Sequence, residues 1–123
     1  MNPTNILDIM KIQEKNYSVY YDISTATIIF QGSLRLSGME EYAPIEQLLN
    51  DVVNQELPII ILNLQKLEFL NSSGISMLSK FVINVRNRKN IQMTVIGSQA
   101  IPWQAKSLKN LQRLMPSLKL EFI

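Results

Sequence analysis

Phe69-Leu70-Asn71-Ser72-Ser73-Gly74-Ile75 stands where a strand-like apolar run gives way to an amphipathic stretch, and it places two hydroxyls at the expected start of a helix. A serine there has two readings. Its oxygen accepts an orphan amide hydrogen bond, which makes Ser72 or Ser73 a structural cap. The other is functional, a switch built on two hydroxyls at a helix entry.

Working outward, Pro58 introduces Ile59-Ile60-Ile61-Leu62, with Asn63 and Leu64 following, a continuous apolar run that suits a central strand covered on both faces. Before it, Ile45, Leu48, Leu49, Val52 and Val53 keep the spacing of a helix lying on a sheet, with Pro44 expected in its first turn. After it, Gly74 to Arg88 puts Ile75, Leu78, Val82 and Val85 on one helical face and turns Ser76, Lys80 and Asn87 away. Ile91 to Ile96 reads as a strand, and a helix entered through Pro102 carries Leu108, Leu111 and Met115 as far as Pro116. Leu118, Leu120 and Phe122 then alternate as a last strand.

Upstream, residues 17 to 31 read as a hairpin. Tyr17, Val19 and Tyr21 alternate, Asp22-Ile23-Ser24-Thr25 turns, Thr27-Ile28-Ile29-Phe30 returns, and Gly32 closes it. The first 16 residues, with Ile6, Leu7, Ile9, Met10 and Ile12, fit a short helix or an extended first strand equally well. Helix and strand alternate after the hairpin, which predicts one α/β domain over residues 1–123 with helices packed on a mostly parallel sheet.

Composition removes much chemistry. The 123 residues, 46% apolar, suffice for one core, and neither cysteine nor histidine is present. Disulfides, the usual zinc sites, thiol nucleophiles and imidazole-based serine triads are thereby excluded. No catalytic residue, metal or cofactor is expected. A lysine-based serine hydrolase has only Lys66 near the motif and no visible oxyanion element. The formal charge is +2, and Arg86-Asn87-Arg88-Lys89 falls where a helix should end, so dipole compensation accounts for it without nucleic acid. Trp103, Tyr17, Tyr20, Tyr21 and Tyr42 lack an interleaved basic stripe and read as packing or half-exposed surface. The start has neither a basic segment nor a long apolar core, and no apolar run is long enough to span a bilayer, so a soluble cytoplasmic chain without membrane contact is expected.

Ile60-Ile61-Leu62-Asn63-Leu64, then Leu67-Glu68-Phe69-Leu70, then Asn71-Ser72-Ser73-Gly74-Ile75 resembles the STAS domains typified by bacterial anti-sigma factor antagonists. The resemblance covers nearly the whole chain. It implies that Ser72, the first hydroxyl of the motif, receives a phosphate, beside Ser73 and Gly74. It further implies a serine/threonine protein kinase of the anti-sigma type, a PP2C-like phosphatase and a regulatory target. Two positions depart from the family pattern: Asn71 and Arg35 stand where it carries acids. Asn71 is similar to a smaller STAS-like group that keeps the asparagine and regulates a diguanylate cyclase, so an anti-sigma factor and a diguanylate cyclase are both candidate targets.

The expectation is a non-enzymatic partner switch in bacterial signalling. Ser72 is the phosphoacceptor, Asn71, Ser73 and Gly74 shape the loop, and Gly74 leaves room for an approaching protein. Ser76, Lys80, Asn84 and Arg35 meet the partner. The competing expectation is a STAS scaffold subunit of an oligomeric signalling assembly that is never phosphorylated.

Overall fold

In the computed structural model, which describes residues 10–123, Lys11–Gln13 (β1) lies antiparallel to Tyr17–Asp22 (β2), which turns back into Thr27–Leu34 (β3). Residues 1–9, and with them the choice between helix and strand at Ile6 to Ile9, lie outside the described residues. The turn is a single 3-10 turn, Ile23–Thr25, in which Asp22 Oδ1 accepts from the Ser24 amide at 3.0 Å and from its hydroxyl at 2.6 Å. Those bonds hold the Asp22 carboxyl below its ordinary pKa. Gly32 does not close the hairpin. It sits within β3 opposite Tyr17 with φ +91°, and a side chain there would collide with the Asn16 carbonyl.

Three crossovers follow: Gly38–Asn54 (α1) leads to Ile59–Leu70 (β4), Ser72–Arg88 (α2) to Gln92–Gly97 (β5), and Pro102–Leu114 (α3) to Lys119–Phe122 (β6). The six strands lie in sequence order, the last three pairs parallel, as the alternation predicts. Successive crossovers of one hand in one direction lay all three helices on the same face. They touch side by side: Arg88 donates to Asn54 Oδ1 at 2.6 Å and Arg86 to the Leu114 carbonyl at 3.1 Å.

One covered face corrects the reading of Ile59 to Leu64 as buried on both. Ile60, Leu62 and Leu64 are buried, whereas Ile59 is exposed and Ile61 and Asn63 only half-buried. The β-branched Ile59, Ile60 and Ile61 favour strand formation whichever way they face, and Ile59 and Ile61 lie on the open side. The start of α1 also differs. Ser37 precedes it and its amide donates at 3.1 Å to Oε2 of Glu41, the fourth helical residue, which reaches back over the helix start. Pro44 is consequently the seventh helical residue, exposed on the solvent side, where the carbonyl it leaves unpaired meets water.

β4 decides where the helix that follows it begins. Its register against β3 slips twice, between Ile29↔Asn63 and Gln31↔Lys66 and again between Gly32↔Leu67 and Ser33↔Phe69, one extra β4 residue each time. The slips keep Leu64, Leu67 and Leu70 all facing the core despite their spacing of three. Pairing with β5 has already stopped at Asn63↔Ile96. On that vacated side Gln104, fully buried, donates to the carbonyls of Leu64 at 2.7 Å and Leu67 at 3.0 Å and accepts from the Ser98 amide at 2.7 Å. Trp103 Nε1 donates to the Glu68 carbonyl at 2.8 Å. Two side chains of α3 replace the missing strand. Replacing Gln104 by leucine strips partners from three backbone groups, each costing about 1–3 kcal/mol when buried and unpaired. Gln104→Leu is expected to lose about 3 kcal/mol or more in urea unfolding; an unchanged midpoint contradicts this account.

Candidate functional site

β4 ends at Leu70 and α2 begins at Ser72, so Asn71 alone joins them. An extended residue before a helix presents its side chain to the free amides of the first turn, and an asparagine there is among the best caps. Asn71 has φ −78° and ψ 175°, and its Oδ1 accepts from the Gly74 amide at 2.9 Å. The same oxygen accepts from the Tyr42 hydroxyl at 2.6 Å, while Nδ2 donates to the Leu36 carbonyl at 2.8 Å. Its backbone amide donates to Leu34 at 3.2 Å and its carbonyl accepts from the Ile75 amide at 3.0 Å. Every polar group of the residue is engaged.

The cap is therefore Asn71 and neither serine. Ser72 is exposed as the first residue of α2, Ser73 is half-buried, and Gly74 is buried. Gly74 does not make room for another protein. A Cβ there would collide with Leu70 and stand 2.8 Å from the Tyr42 hydroxyl, so its bareness serves internal packing.

Ser72, Ser76, Lys80 and Asn84 recur every fourth residue and share one stripe of α2. Ser76 and Lys80 are exposed and Asn84 is half-buried, with its amide 3.5 Å from Asn50 Oδ1 on α1. Lys80 Nζ lies 3.9 Å from the sulfur of Met39, which is 65% exposed at the start of α1. Beside the stripe a groove of about 250 Å³ separates α1 from α2, with Leu49, Met77 and Phe81 below and Glu46, Lys80 and Asn84 at its edge. Arg35 is apart from this stripe. It stands just beyond β3 with its guanidinium 4.3 Å from the centre of the Phe69 ring, a cation–π contact worth about 0.5–1 kcal/mol where exposed.

Tyr42 and the Leu36 carbonyl belong to the site and no motif marked them. Tyr42 falls on the buried stripe with Ile45 and Leu49, where a core aromatic and a hydrogen-bonding one look alike in sequence. Burial holds its hydroxyl above the ordinary tyrosine pKa, so it remains a donor at neutral pH. Among the described residues no group of carboxylates is placed to hold a metal ion, and no helix is long and apolar enough to cross a membrane.

The sequence pattern of the STAS domain matches residues 34–116. Solved structures give the fold independently. The complex of the diguanylate cyclase SiaD with its activator SiaC from Pseudomonas aeruginosa matches with a TM-score of 0.71 at 10% identity, covering 92% of this chain and 98% of that one. SiaC of P. aeruginosa matches at 0.68 and 11% identity over 91% and 93%. An anti-sigma factor antagonist from Mycobacterium paratuberculosis matches at 0.62 and 19% identity over 84% and 85%. A comparison with curated proteins finds no match.

Division of labour between Asn71 and Ser72 is testable by stability alone. Asn71→Ala removes a cap worth about 0.5–2 kcal/mol and also orphans the Leu36 carbonyl and the Tyr42 hydroxyl, for a total expected above about 2 kcal/mol. Ser72→Ala is expected to stay within about 0.5 kcal/mol of wild type, as surface changes do. Urea denaturation of the two variants showing the reverse order contradicts the assignment.

Proposed function

The chain belongs to the STAS domain family, and from that premise we propose that it is a phosphorylation-controlled regulator that exchanges protein partners, with Ser72 as the phosphoacceptor. One observation carries the reading: because Asn71 holds the cap, Ser72 is exposed at the helix entry with no capping task to keep it. A kinase can take such a hydroxyl without dismantling the turn.

Magnitudes support a switch at the surface. A phosphate at an exposed helix start gains about 0.3–1 kcal/mol from the dipole, against roughly 5–15 kcal/mol of domain stability. The fold survives modification. Phe69 to Leu120 contains no Asp or Glu, so a phosphate of about −1.5 to −2 charge introduces the first negative group into that half of the chain. A partner seated on the Ser72–Asn84 stripe meets either a neutral serine or a dianion. If several kcal/mol of desolvation and repulsion separate the two, affinity changes by about tenfold for every 1.4 kcal/mol.

The kinase is of the serine/threonine anti-sigma type and the phosphatase PP2C-like. The target is a regulatory protein, of the anti-sigma class by the pattern of the mycobacterial antagonist or a diguanylate cyclase by the pattern of SiaC. The chain itself works as a regulator and not as a catalyst, in the cytoplasm.

Peptide mapping of the protein recovered from its own host, with and without phosphatase treatment, is expected to place phosphate on Ser72. Ser72→Ala is expected to fold normally and to capture one partner set irrespective of phosphatase treatment, whereas wild type changes partners. Phosphate confined to Ser73, or none under any growth condition, overturns the proposal.

A further inference from the structure

We infer that Tyr42 is a positioning residue for the acceptor loop and that the site it forms with the Leu36 carbonyl requires an amide, not a carboxylate, at residue 71. The functional half of this inference rests on the proposed role of Ser72; the structural half stands without it.

The Asn71 side chain is used on both sides and in one sense only. Oδ1 receives two donors, the Gly74 amide and the Tyr42 hydroxyl, which fills its lone pairs. Nδ2 faces the Leu36 carbonyl, an acceptor. A flipped amide would set donor against donor and acceptor against acceptor. A carboxylate meets the first side and fails the second, because its other oxygen confronts the Leu36 oxygen with no proton between them. General cap preferences rank asparagine and aspartate together, so the distinction here comes from Leu36 and not from the helix.

Tyr42 makes the arrangement rigid. It is 1% exposed, anchored in α1, and its single proton goes to Asn71. Gly74 is bare partly because its Cβ would crowd that hydroxyl. Leu36 lies in the segment between β3 and α1, and Tyr42 in the second turn of α1. The entry of α2 is thus tied to both sides of the turn that starts α1. Ser72 is the next residue along, so the direction in which its hydroxyl leaves the surface is set by this node. Without the Tyr42 proton, Asn71 retains its bonds to Gly74 and Leu36 but loses the one tie from its side chain to the buried face of α1, and Ser72 and Ser73 become alternative acceptors.

Four proteins test this: wild type, Asn71→Asp, Asn71→Ala and Tyr42→Phe. In urea unfolding at neutral pH, Asn71→Asp is expected to fall more than half of the way from wild type to Asn71→Ala. An Asn71→Asp midpoint equal to wild type overturns the amide requirement. In peptide mapping of protein recovered from the host, Tyr42→Phe, shown folded by circular dichroism, is expected to lower the Ser72-to-Ser73 phosphate ratio about threefold or more, the scale of one lost hydrogen bond. An unchanged ratio at altered stability makes Tyr42 a packing residue and overturns the positioning role. Absence of phosphate from every variant, wild type included, refutes the acceptor reading and the positioning role with it, while the unfolding comparison still decides the amide requirement.

Discussion

Everything near the Asn71 junction depends on β4 running on after its neighbour has ended. Seven residues, Leu64 to Leu70, follow the last β4–β5 pair, and a lone strand edge inside a core would leave carbonyls without donors. Gln104 and Trp103 supply them from the first turn of α3. The two bulges have the companion task of keeping Leu64, Leu67 and Leu70 on the core side while the strand bends. Remove either device and the end of β4 moves, taking Asn71 and the start of α2 with it.

What the extended strand delivers is a junction of one residue. A longer connection would give the serines conformational freedom; here Asn71 is bound through its backbone to β3 and to α2, and through its side chain to α1 and the preceding segment. Ser72 follows directly, exposed on a frame that barely yields. Under the role proposed for Ser72, a phosphate would change the charge at this point and leave the surface on either side the same. Away from the junction, Met39 stands 65% exposed and the groove between α1 and α2 lies open over Leu49, Met77 and Phe81.

The order of elements and most of the core were legible, because Ile45 to Val53, Leu108 to Met115 and the strands carry their periods openly. What stayed hidden depends on partners remote in sequence. Pro44 pointed to a helix start that belongs to Ser37, since Glu41 reaching back to an amide has no apolar signature. Three isoleucines in a row suggested two covered faces, although the number of covering helices is a property of crossover direction and not of the strand. Gln104 looks like a surface glutamine until Leu64 and Leu67, some forty residues earlier, are found against it. Gly74 read as an opening to the outside and is a space filled from within.

The two missing acids take a different meaning in this frame. Seen in sequence, Asn71 and Arg35 are departures from the family's acids beside the competing expectation of an unmodified scaffold. Each now has a local cause. Arg35 spends its guanidinium on the Phe69 ring where β3 and β4 end, and Asn71 turns its side chain to three partners, one of which demands a donor. A residue that is held inside the fold by its own hydrogen bonds says little about what approaches from outside. The substitution of asparagine for the family's acid therefore weighs less toward an unmodified scaffold than it does as sequence alone, and the exposed serine beside it weighs more. Arginine in place of the second acid acts in the same direction. It sets a cation, not an anion, at the sheet end from which α2 departs, and so favours a dianion nearby by an amount that solvent screening keeps to about 1 kcal/mol or less.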